Sequence, residues 1–415
     1  MTGEKKFFED EDGIISELDG KNYLEKAYLQ IREILSYYLD IDESNKTIMA
    51  LWVLGTYNHE DFITFPLLFL NAMRGSAKSR TVRLLTKLSK DGQMLMNITE
   101  AVLFRSHGTL GIDEFEGLAS KEKQSLRELL NSSYKKGSIV KRMRKKKTME
   151  GEQQVEEIFN AYRPVILANI WGIEEVLSDR CITVVLEKSN KPEFVKLMED
   201  YDSDDKINTL LLLLKSDKCS LCSVVTKKNI NIYTKWNEYI KNKCCKTTLN
   251  TLYTYNTLTT QTTPEEEEEI KKINEELMDL FNRVYDLDIN GRNLELYFPL
   301  FMVARDIGDY VFQEILDIAA NNVNVKKIDD MMESSDITLY NLVASCDDGK
   351  MYKVKDLVNT IKLMLGEGDF SFINNKWMGR GLKRLNLVLE KRRLAEGIEV
   401  RLNVEKAKEK LEMFK

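Results

Sequence analysis

The stretch Ala72-Met73-Arg74-Gly75-Ser76-Ala77-Lys78-Ser79 decides the fold of this 415-residue chain. It follows the pattern G-x-x-x-x-G-K-[ST], in which backbone N–H groups surround phosphates and a helix N-terminus faces them. Lys78 matches the lysine that reaches the β- and γ-phosphates, and Ser79 matches the hydroxyl that ligates Mg²⁺. The stretch therefore predicts ATP and Mg²⁺ as ligands. The residues expected to line the phosphates are Arg74, Gly75, Ser76, Ala77, Lys78 and Ser79.

The flanking residues predict a strand before this loop and a helix after it. Residues 65–70, Phe-Pro-Leu-Leu-Phe-Leu, form a short apolar run that suits a buried strand. Apolar residues then recur at a helical spacing, at Val82, Leu84, Leu85 and Leu88. A phosphate loop requires this order of strand, loop and helix. A chance match in a helix–turn segment is the plain alternative.

Two alanines depart from the pattern. Ala72 and Ala77 occupy the positions of its first and last glycines. A Cβ costs little where φ is negative, but a positive φ adds strain of about 1 kcal/mol or more. The departure therefore raises a question about turnover more than about nucleotide binding.

Two further apolar strands end in polar residues. Residues 109–112 lead to Asp113, which is expected to hold Mg²⁺, and to Glu114, which is expected to activate water as a general base. Residues 164–168 lead to Asn169, an amide suited to orienting the water or contacting the γ-phosphate. An isolated acidic pair is usually a surface strand end, but its position after a phosphate loop favours the catalytic interpretation.

The order of these motifs resembles the AAA+ ATPase core. Residues 45–190 and 285–320, approximately, are similar to the AAA+ modules of phage, plasmid and archaeal mobile-element replication proteins, which are related in arrangement to superfamily 3 and MCM helicases. Residues 52–60, Trp-Val-Leu-Gly-Thr-Tyr-Asn-His-Glu, resemble the segment before the phosphate strand in that group. The resemblance covers about half the chain. It implies an α/β fold with a parallel sheet core and a helical lid, working as a ring of identical subunits, a hexamer by analogy.

The resemblance also implies roles for two arginines. Arg180, before the apolar strand 182–186, matches an arginine finger supplied to a neighbouring subunit's site. Arg292 matches the lid arginine that reaches the γ-phosphate of its own subunit. A helix-start arginine paired with Glu295 is the alternative for Arg292.

A basic run lies between the acidic pair and Asn169: Lys141-Arg142-Met143-Arg144-Lys145-Lys146-Lys147. Residues 148–151 offer a turn, and residues 153–159 can return as a second strand. In the helicases named above, a β-hairpin at this point projects into a central pore and holds DNA. Phosphate contacts require such positive charge. A solvated charged loop is the alternative, and the position inside the core favours the hairpin.

Residues 331–415 resemble a winged-helix domain. The predicted elements are three helices, 337–346, 352–365 and 374–385, and a wing of two strands, 388–393 and 398–402. In the third helix, Trp377, Leu382 and Leu385 are expected to face the core. The basic residues expected to contact DNA are Arg380, Lys383, Arg384, Arg392 and Arg393. A winged helix used for protein docking is the alternative.

Composition bounds the remaining possibilities. The net charge of −6 makes the basic hairpin and tail stand out, which argues for local contact with nucleic acid. No apolar run reaches membrane-spanning length and the N-terminus lacks a signal-peptide core, so we expect a cytoplasmic protein without a membrane partner. Two histidines exclude a histidine-rich metal site. The spacing of Cys219, Cys222, Cys244 and Cys245 fits zinc poorly, so Mg²⁺ is the only metal expected.

Together these features predict five segments and one leading function. The segments are an N-terminal helical part (1–44), an AAA+ core (45–194), a helical insertion (195–285), a helical lid (286–330) and a winged helix (331–415). The predicted function is that of an ATP-driven DNA helicase or translocase of a mobile-element or viral replication system. A primase would be a separate partner. The alternative is a nucleotide-switched DNA-binding initiator or loader with little unwinding, and a packaging motor is a weaker third.

Overall fold

The computed structural model describes residues 20–95, 99–113, 124–148, 151–169, 173–215, 232–245, 264–333, 335–365, 373–394 and 397–412. The chain divides into two compact units, Met1–Ala320 and Asn321–Lys415. The boundaries predicted after residues 44, 194 and 285 fall inside the first unit. The division at 320/321 lies inside a helix, whereas the sequence predicts a boundary after residue 330.

The first unit contains a five-stranded parallel sheet, which confirms the predicted α/β core. Its strands in spatial order are β2 (Gln93–Leu95), β3 (Leu110–Ile112), β6 (Val165–Asn169), β1 (Leu67–Ala72) and β7 (Cys181–Leu186). All neighbouring pairs are parallel. The residues that follow β1, β3 and β6 therefore meet at one edge, here called the carboxyl edge. The residues that precede β1 and β7 meet at the opposite, amino edge.

The strand and helix around the loop form as their apolar patterns predict. The side chains of Leu67–Leu70 in β1 are at most 3% exposed, as expected for a strand of a parallel sheet covered on both faces. Helix α3 (Lys78–Leu88) follows the loop directly. It buries the four residues of the predicted face: Val82, Leu84, Leu85 and Leu88.

Gly111 sets the distance between β3 and α3. A Cβ at this position would lie 2.1 Å from Thr86 Oγ1, closer than these atoms can approach, and at a tight 3.1 Å from Val82 Cγ1. Any larger residue would push α3 away from the sheet. The glycine thus allows Lys78, the first residue of α3, and Asp113, just after β3, to lie close together.

The first unit contains further helices, and the last of them continues into the second unit. They are α1 (Gly20–Tyr38), α2 (Glu43–Thr56), α4 (Glu100–Arg105), α5 (Gln124–Ser133), α6 (Glu175–Ser178), α7 (Pro192–Val195), α8 (Asp205–Lys215), α9 (Ile232–Cys245), α10 (Pro264–Tyr285), α11 (Gly291–Ile307) and α12 (Asp309–Glu333). Trp52 of α2 is fully buried and donates a 2.8 Å hydrogen bond to the carbonyl of Pro66, which fixes α2 to the start of β1. None of the described helices combines the length and apolar character needed to cross a membrane.

The predicted basic hairpin is present. Strands β4 (Ile139–Thr148) and β5 (Gly151–Asn160) pair antiparallel along ten residues each, which corresponds to a ribbon of roughly 33 Å. Its turn residues, 149 and 150, lie outside the described residues. The hairpin leaves the core just before β6, at the amino edge of the sheet.

Arg163 fixes the root of this hairpin. Its side chain is buried, and its Nη2 donates a 2.9 Å hydrogen bond to the carbonyl of Asn160, the last residue of β5. Its Nη1 donates to the carbonyls of Leu103, at 3.1 Å, and Ser106 at the end of α4. Burial lowers the pKa of the Arg163 guanidinium. The three carbonyl acceptors replace the hydration that the charged group loses.

Replacing Arg163 with methionine is expected to lower the free energy of unfolding by about 3 kcal/mol, because three buried carbonyls lose their charged donor. Urea denaturation followed by circular dichroism measures the change. The matched control is Arg105→Met, since Arg105 is exposed and lies 3.7 Å from Glu157 of the same hairpin. That change should cost about 0.5 kcal/mol or less. Equal losses for the two variants would contradict the assignment.

The second unit combines helices with a small antiparallel sheet. Its elements are α13 (Ser335–Ala344), β8 (Met351–Lys353), α14 (Val354–Leu365), α15 (Asn375–Arg384), β9 (Val388–Leu394), β10 (Gly397–Leu402) and α16 (Val404–Glu412). The strand order is β8-β10-β9. The three predicted helices and the two predicted wing strands are all present, and β8 is an addition to them.

The orientation of α15 differs in part from the prediction. Leu382 is fully buried in the core of the unit, as predicted, together with Met378. Trp377 and Leu385 are only partly buried. At 100° per residue, Trp377 lies at the border between the buried face and the cationic face. It therefore packs against the core on one side and lines a surface groove on the other.

Candidate functional site

The phosphate loop lies at the carboxyl edge, between β1 and α3. Ser76 closes it, since its backbone N–H and its Oγ both donate to the carbonyl of Met73, at 3.3 and 2.7 Å. Gly75 has a φ of 78°, in the left-handed region that favours glycine. Because α3 begins immediately after the loop, its N-terminus presents backbone donors suited to a phosphate group.

The two alanines of the loop differ in backbone conformation. Ala72 is the last residue of β1 and is 3% exposed. Its Cβ causes no backbone strain, because its φ is not positive. Ala77 caps α3 with φ 59° and ψ 24°, which is left-handed. The Cβ of Ala77 therefore adds about 1 kcal/mol of backbone strain. Of the two alanines that replace glycines of the pattern, only Ala77 strains the backbone.

Ala77→Gly is expected to raise the free energy of unfolding by up to about 1 kcal/mol, because it removes the left-handed strain of Ala77. Ala72→Gly is the matched control, since it makes the same change in an extended, buried strand. It should destabilise the protein by about 0.5–1 kcal/mol. Urea midpoints of the two variants measure the difference. Shifts of the same sign would show that Ala77 is not strained.

A buried ion pair joins the loop to the acidic strand. Lys78 Nζ lies 3.3 Å from Asp113 Oδ1, and the two side chains are only 12% and 7% exposed. Asn169 ends β6, the strand between β1 and β3, and it is also buried. The structure thus brings Lys78, Asp113 and Asn169 to one edge, as the sequence predicts. Glu114, the predicted general base, lies outside the described residues.

A cleft of about 1070 Å³ opens beside the loop. One wall consists of the predicted nucleotide-binding residues: Arg74, Gly75, Ser76, Ala77, Lys78 and Ser79. The other wall comes from two segments, residues 38–41 after α1 and residues 187–199 after β7. The cleft is large enough for a nucleotide and lies at the carboxyl ends of parallel strands, where ligands of α/β sheets usually bind.

The far wall of the cleft carries no motif and is not predicted from the sequence. Asp40 joins its two segments, since its carboxylate accepts hydrogen bonds from Lys191 Nζ and Ser189 Oγ, both at 2.7 Å. These two hydrogen bonds lower the pKa of the Asp40 carboxyl. The partners lie some 150 positions apart in the chain, so no local pattern could reveal their pairing.

Arg80 attaches the far wall to α3. Its Nη1 and Nη2 donate to the carbonyls of Phe194 and Leu197, at 2.8 and 2.7 Å, and its Nε lies 3.4 Å from Glu199. Arg80 is the second residue after Lys78. The helix that carries the phosphate lysine therefore also holds the opposite side of the cleft.

Arg180 lies at the amino edge of the sheet. Its carbonyl accepts from the N–H of Leu67, the first residue of β1, and its guanidinium lies over the ring of Tyr134, 5.4 Å from the centroid. The full length of β1, six residues or roughly 20 Å, separates it from the loop of its own chain. Arg180 therefore lies far from the phosphate loop of its own chain.

Arg292 lies beside Arg180 and not beside the phosphate loop. Its guanidinium lies 4.7 Å from the centroid of the same Tyr134 ring and donates to the Tyr134 hydroxyl. It is also 2.8 Å from Glu295 and 3.6 Å from Asp179. The pairing with Glu295 is the alternative that the sequence left open. The start of α11 packs at the amino edge, so this arrangement does not support contact between Arg292 and the γ-phosphate of its own subunit.

The predicted DNA-binding residues of the hairpin lie on β4. In the register of the hairpin, Lys141, Arg142 and Lys147 oppose Ile158, Glu157 and Glu152 of β5. Lys141 Nζ is 3.0 Å from Glu156. The side chains of Arg142 and of Arg144–Lys147 lie outside the described residues. The basic side of the ribbon is thus the β4 strand.

The predicted DNA-binding residues of the second unit are exposed. Arg380, Lys383 and Arg384 project from α15. In β9, Arg392 Nε donates to Glu390 at 2.8 Å, while Arg393 is exposed on the same strand. A carboxylate of β9 therefore offsets part of the charge of Arg392.

No protein-family model matches this chain, and no curated protein matches it either. Among the residues that the structure describes, no group of three or more His, Cys, Asp or Glu side chains is arranged to hold a metal ion. Cys219 and Cys222 lie outside those residues.

Proposed function

We propose that the protein is an ATP-driven DNA helicase or translocase of the AAA+ class. The observation that carries the proposal is the 3.3 Å contact between Asp113 and Lys78, which is one of the residues that line the cleft. A lysine for the β- and γ-phosphates and a carboxylate for Mg²⁺ have to lie this close to act on one triphosphate.

The residues at the carboxyl edge fit Mg²⁺–ATP. The Ser79 hydroxyl and the Asp113 carboxylate are oxygen ligands of the kind that Mg²⁺ uses in nucleotide sites. Bound Mg²⁺ would neutralise charge on the transferring phosphoryl group. Lys78 would orient the phosphates, Asn169 would hold the attacking water or the γ-phosphate, and Glu114 would accept the proton of that water.

The proposal requires a ring of subunits. Arg180 is a strand length from its own loop, so as an arginine finger it would complete the site of a neighbour. Arg292 shares Tyr134 with it and would approach the same interface. The hairpin arises at the same edge of the sheet, so a neighbour's nucleotide state and the hairpin's position would be linked. In this scheme the hairpin grips DNA, and the second unit, as a winged helix, adds a further DNA contact.

DNA-stimulated ATP hydrolysis tests the proposal. The wild-type chain is expected to hydrolyse ATP faster with DNA, and Asp113→Asn and Glu114→Gln are expected to reduce the rate at least about a hundred-fold. A strand-displacement assay with ATP then separates a motor from the second candidate. That candidate, a nucleotide-switched initiator or loader, is favoured by the strained Ala77 and would bind ATP and DNA without unwinding. Equal inactivity of the wild type and both variants would rule out the ATPase.

A further inference from the structure

The surface of α15 carries a groove of about 310 Å³, here called the α15 groove. Its lining residues are Asn374, Lys376, Trp377, Arg380, Gly381 and Arg384. Three of them are cations, and one is the only tryptophan of the second unit. The groove therefore combines an aromatic ring with a concentrated positive charge.

The helix geometry explains this combination. Lys376, Arg380 and Arg384 recur every four residues and so form one row along the exposed side of α15. The opposite side is held by Met378 and Leu382, which are completely buried. The side chain of Asn374 caps the helix by accepting from two backbone N–H groups at 3.0 Å. The row of cations therefore lies on a helix that is held in place by its buried face and its N-terminal cap.

Trp377 stands next to this row, and its position distinguishes two kinds of DNA contact. In a duplex, base faces are stacked on one another and only base edges are accessible in the grooves. An aromatic face then has no base to stack on. In a single strand, bases can turn out and stack on aromatic side chains while cations hold the phosphates. A half-buried indole among three cations fits the second kind.

We propose that the α15 groove binds single-stranded DNA, with one base stacked on Trp377 and the backbone phosphates held by Lys376, Arg380 and Arg384. The inference rests on the DNA-binding role proposed above for the second unit. It extends that role by specifying the form of the strand, because a helix that only grips duplex DNA does not need Trp377.

Binding of fluorescein-labelled oligothymidylate to the full-length chain tests the proposal. The assay uses a background in which Lys145, Lys146 and Lys147 are replaced by alanine, so that the hairpin contributes little. In this background, Trp377→Leu should raise the Kd roughly ten-fold, which corresponds to one lost base stack. Arg380→Ala should also raise the Kd roughly ten-fold, because it removes the cation at the centre of the row that holds the phosphates. Trp377→Phe should preserve most of the affinity. The matched control is Lys355→Ala, which removes an exposed charge from α14, outside the groove, and should change the Kd about two-fold or less.

Photocrosslinking gives a readout that a loss of stability cannot mimic. A single strand that carries 5-iodouracil should crosslink to the peptide containing Trp377, as mapped by mass spectrometry, and the crosslink should disappear in Trp377→Leu. Thermal unfolding shows whether that variant retains its fold. If it does not, the exposed Arg380→Ala variant takes its place, in which the yield of the crosslink should fall with the affinity.

Three outcomes would overturn the inference. Tighter binding of a duplex, weakened equally by Arg380→Ala and Lys383→Ala, would indicate a duplex grip. Crosslinks only outside α15 would place the bound base elsewhere. Loss of all DNA binding in the hairpin background would show that the groove does not bind by itself. If the chain with an intact hairpin binds no DNA at all, the proposed function fails as well. Measuring DNA binding by the chain with an intact hairpin therefore distinguishes failure of this inference from failure of the proposed function.

Discussion

Arg180→Ala is expected to reduce kcat for DNA-stimulated ATP hydrolysis by about a thousand-fold or more and to leave ATP affinity nearly unchanged. An arginine finger stabilises the charge of the transferring phosphoryl group, which is worth three to five orders of magnitude, roughly, in rate. The affinity should persist because Arg180 lies at the edge of the sheet opposite its own loop. Steady-state hydrolysis and titration with a fluorescent ATP analogue measure the two quantities.

Mixing two inactive variants tests whether Arg180 acts between subunits. Arg180→Ala has an intact phosphate loop, and Lys78→Ala has an intact finger. In a mixed ring, some interfaces combine the intact phosphate loop of an Arg180→Ala subunit with the intact finger of a Lys78→Ala subunit. Hydrolysis should return at these interfaces. Arg127→Ala is the control, since Arg127 is a nearby arginine whose only described role is an ion pair with Glu174 at 3.1 Å. Failure to recover activity, or an equal loss in the control, would contradict a finger in trans.

Local sequence predicts the elements of the core because each depends on neighbouring residues. The strand, loop and helix around Lys78 follow from apolar spacing and from the phosphate-loop pattern, and the basic hairpin follows from two polar runs around a turn. The apolar residues that α3 buries are also those that its helical periodicity predicts to be buried. The local sequence pattern does not predict the positive φ of Ala77, because an alanine in the sequence does not indicate a left-handed backbone conformation.

Contacts between distant segments are what the sequence does not reveal. Arg292 matches a lid position by its order in the chain, yet its partner ring, Tyr134, lies 158 residues earlier. The far wall of the cleft likewise depends on Asp40 and Lys191, which no spacing rule connects. Trp377 packs against the core as predicted, but it also lines a surface groove, which the sequence does not predict. A helical period identifies the core face, but it does not show how much of a side chain at the border of that face stays exposed.

Lys78→Met is expected both to abolish ATP binding and to lower the free energy of unfolding of the nucleotide-free protein by roughly 2–3 kcal/mol. The loss of binding follows from the loss of the cation that we propose to reach the phosphates. The loss of stability follows from Asp113, which is 7% exposed and would remain as a buried carboxylate without Lys78 at 3.3 Å. Fluorescent ATP binding and urea denaturation measure the two effects separately.

The double variant Lys78→Met/Asp113→Asn separates the structural role of this pair from its chemical role. Neutralising Asp113 removes the buried charge that Lys78→Met leaves behind, so the double variant should recover at least about 1 kcal/mol relative to Lys78→Met. It should still neither bind ATP nor hydrolyse it, because both the phosphate cation and the Mg²⁺ ligand are lost. Additive losses of stability in the two single variants would mean that the side chains do not interact. ATP hydrolysis by the double variant would mean that the chemistry takes place elsewhere in the chain.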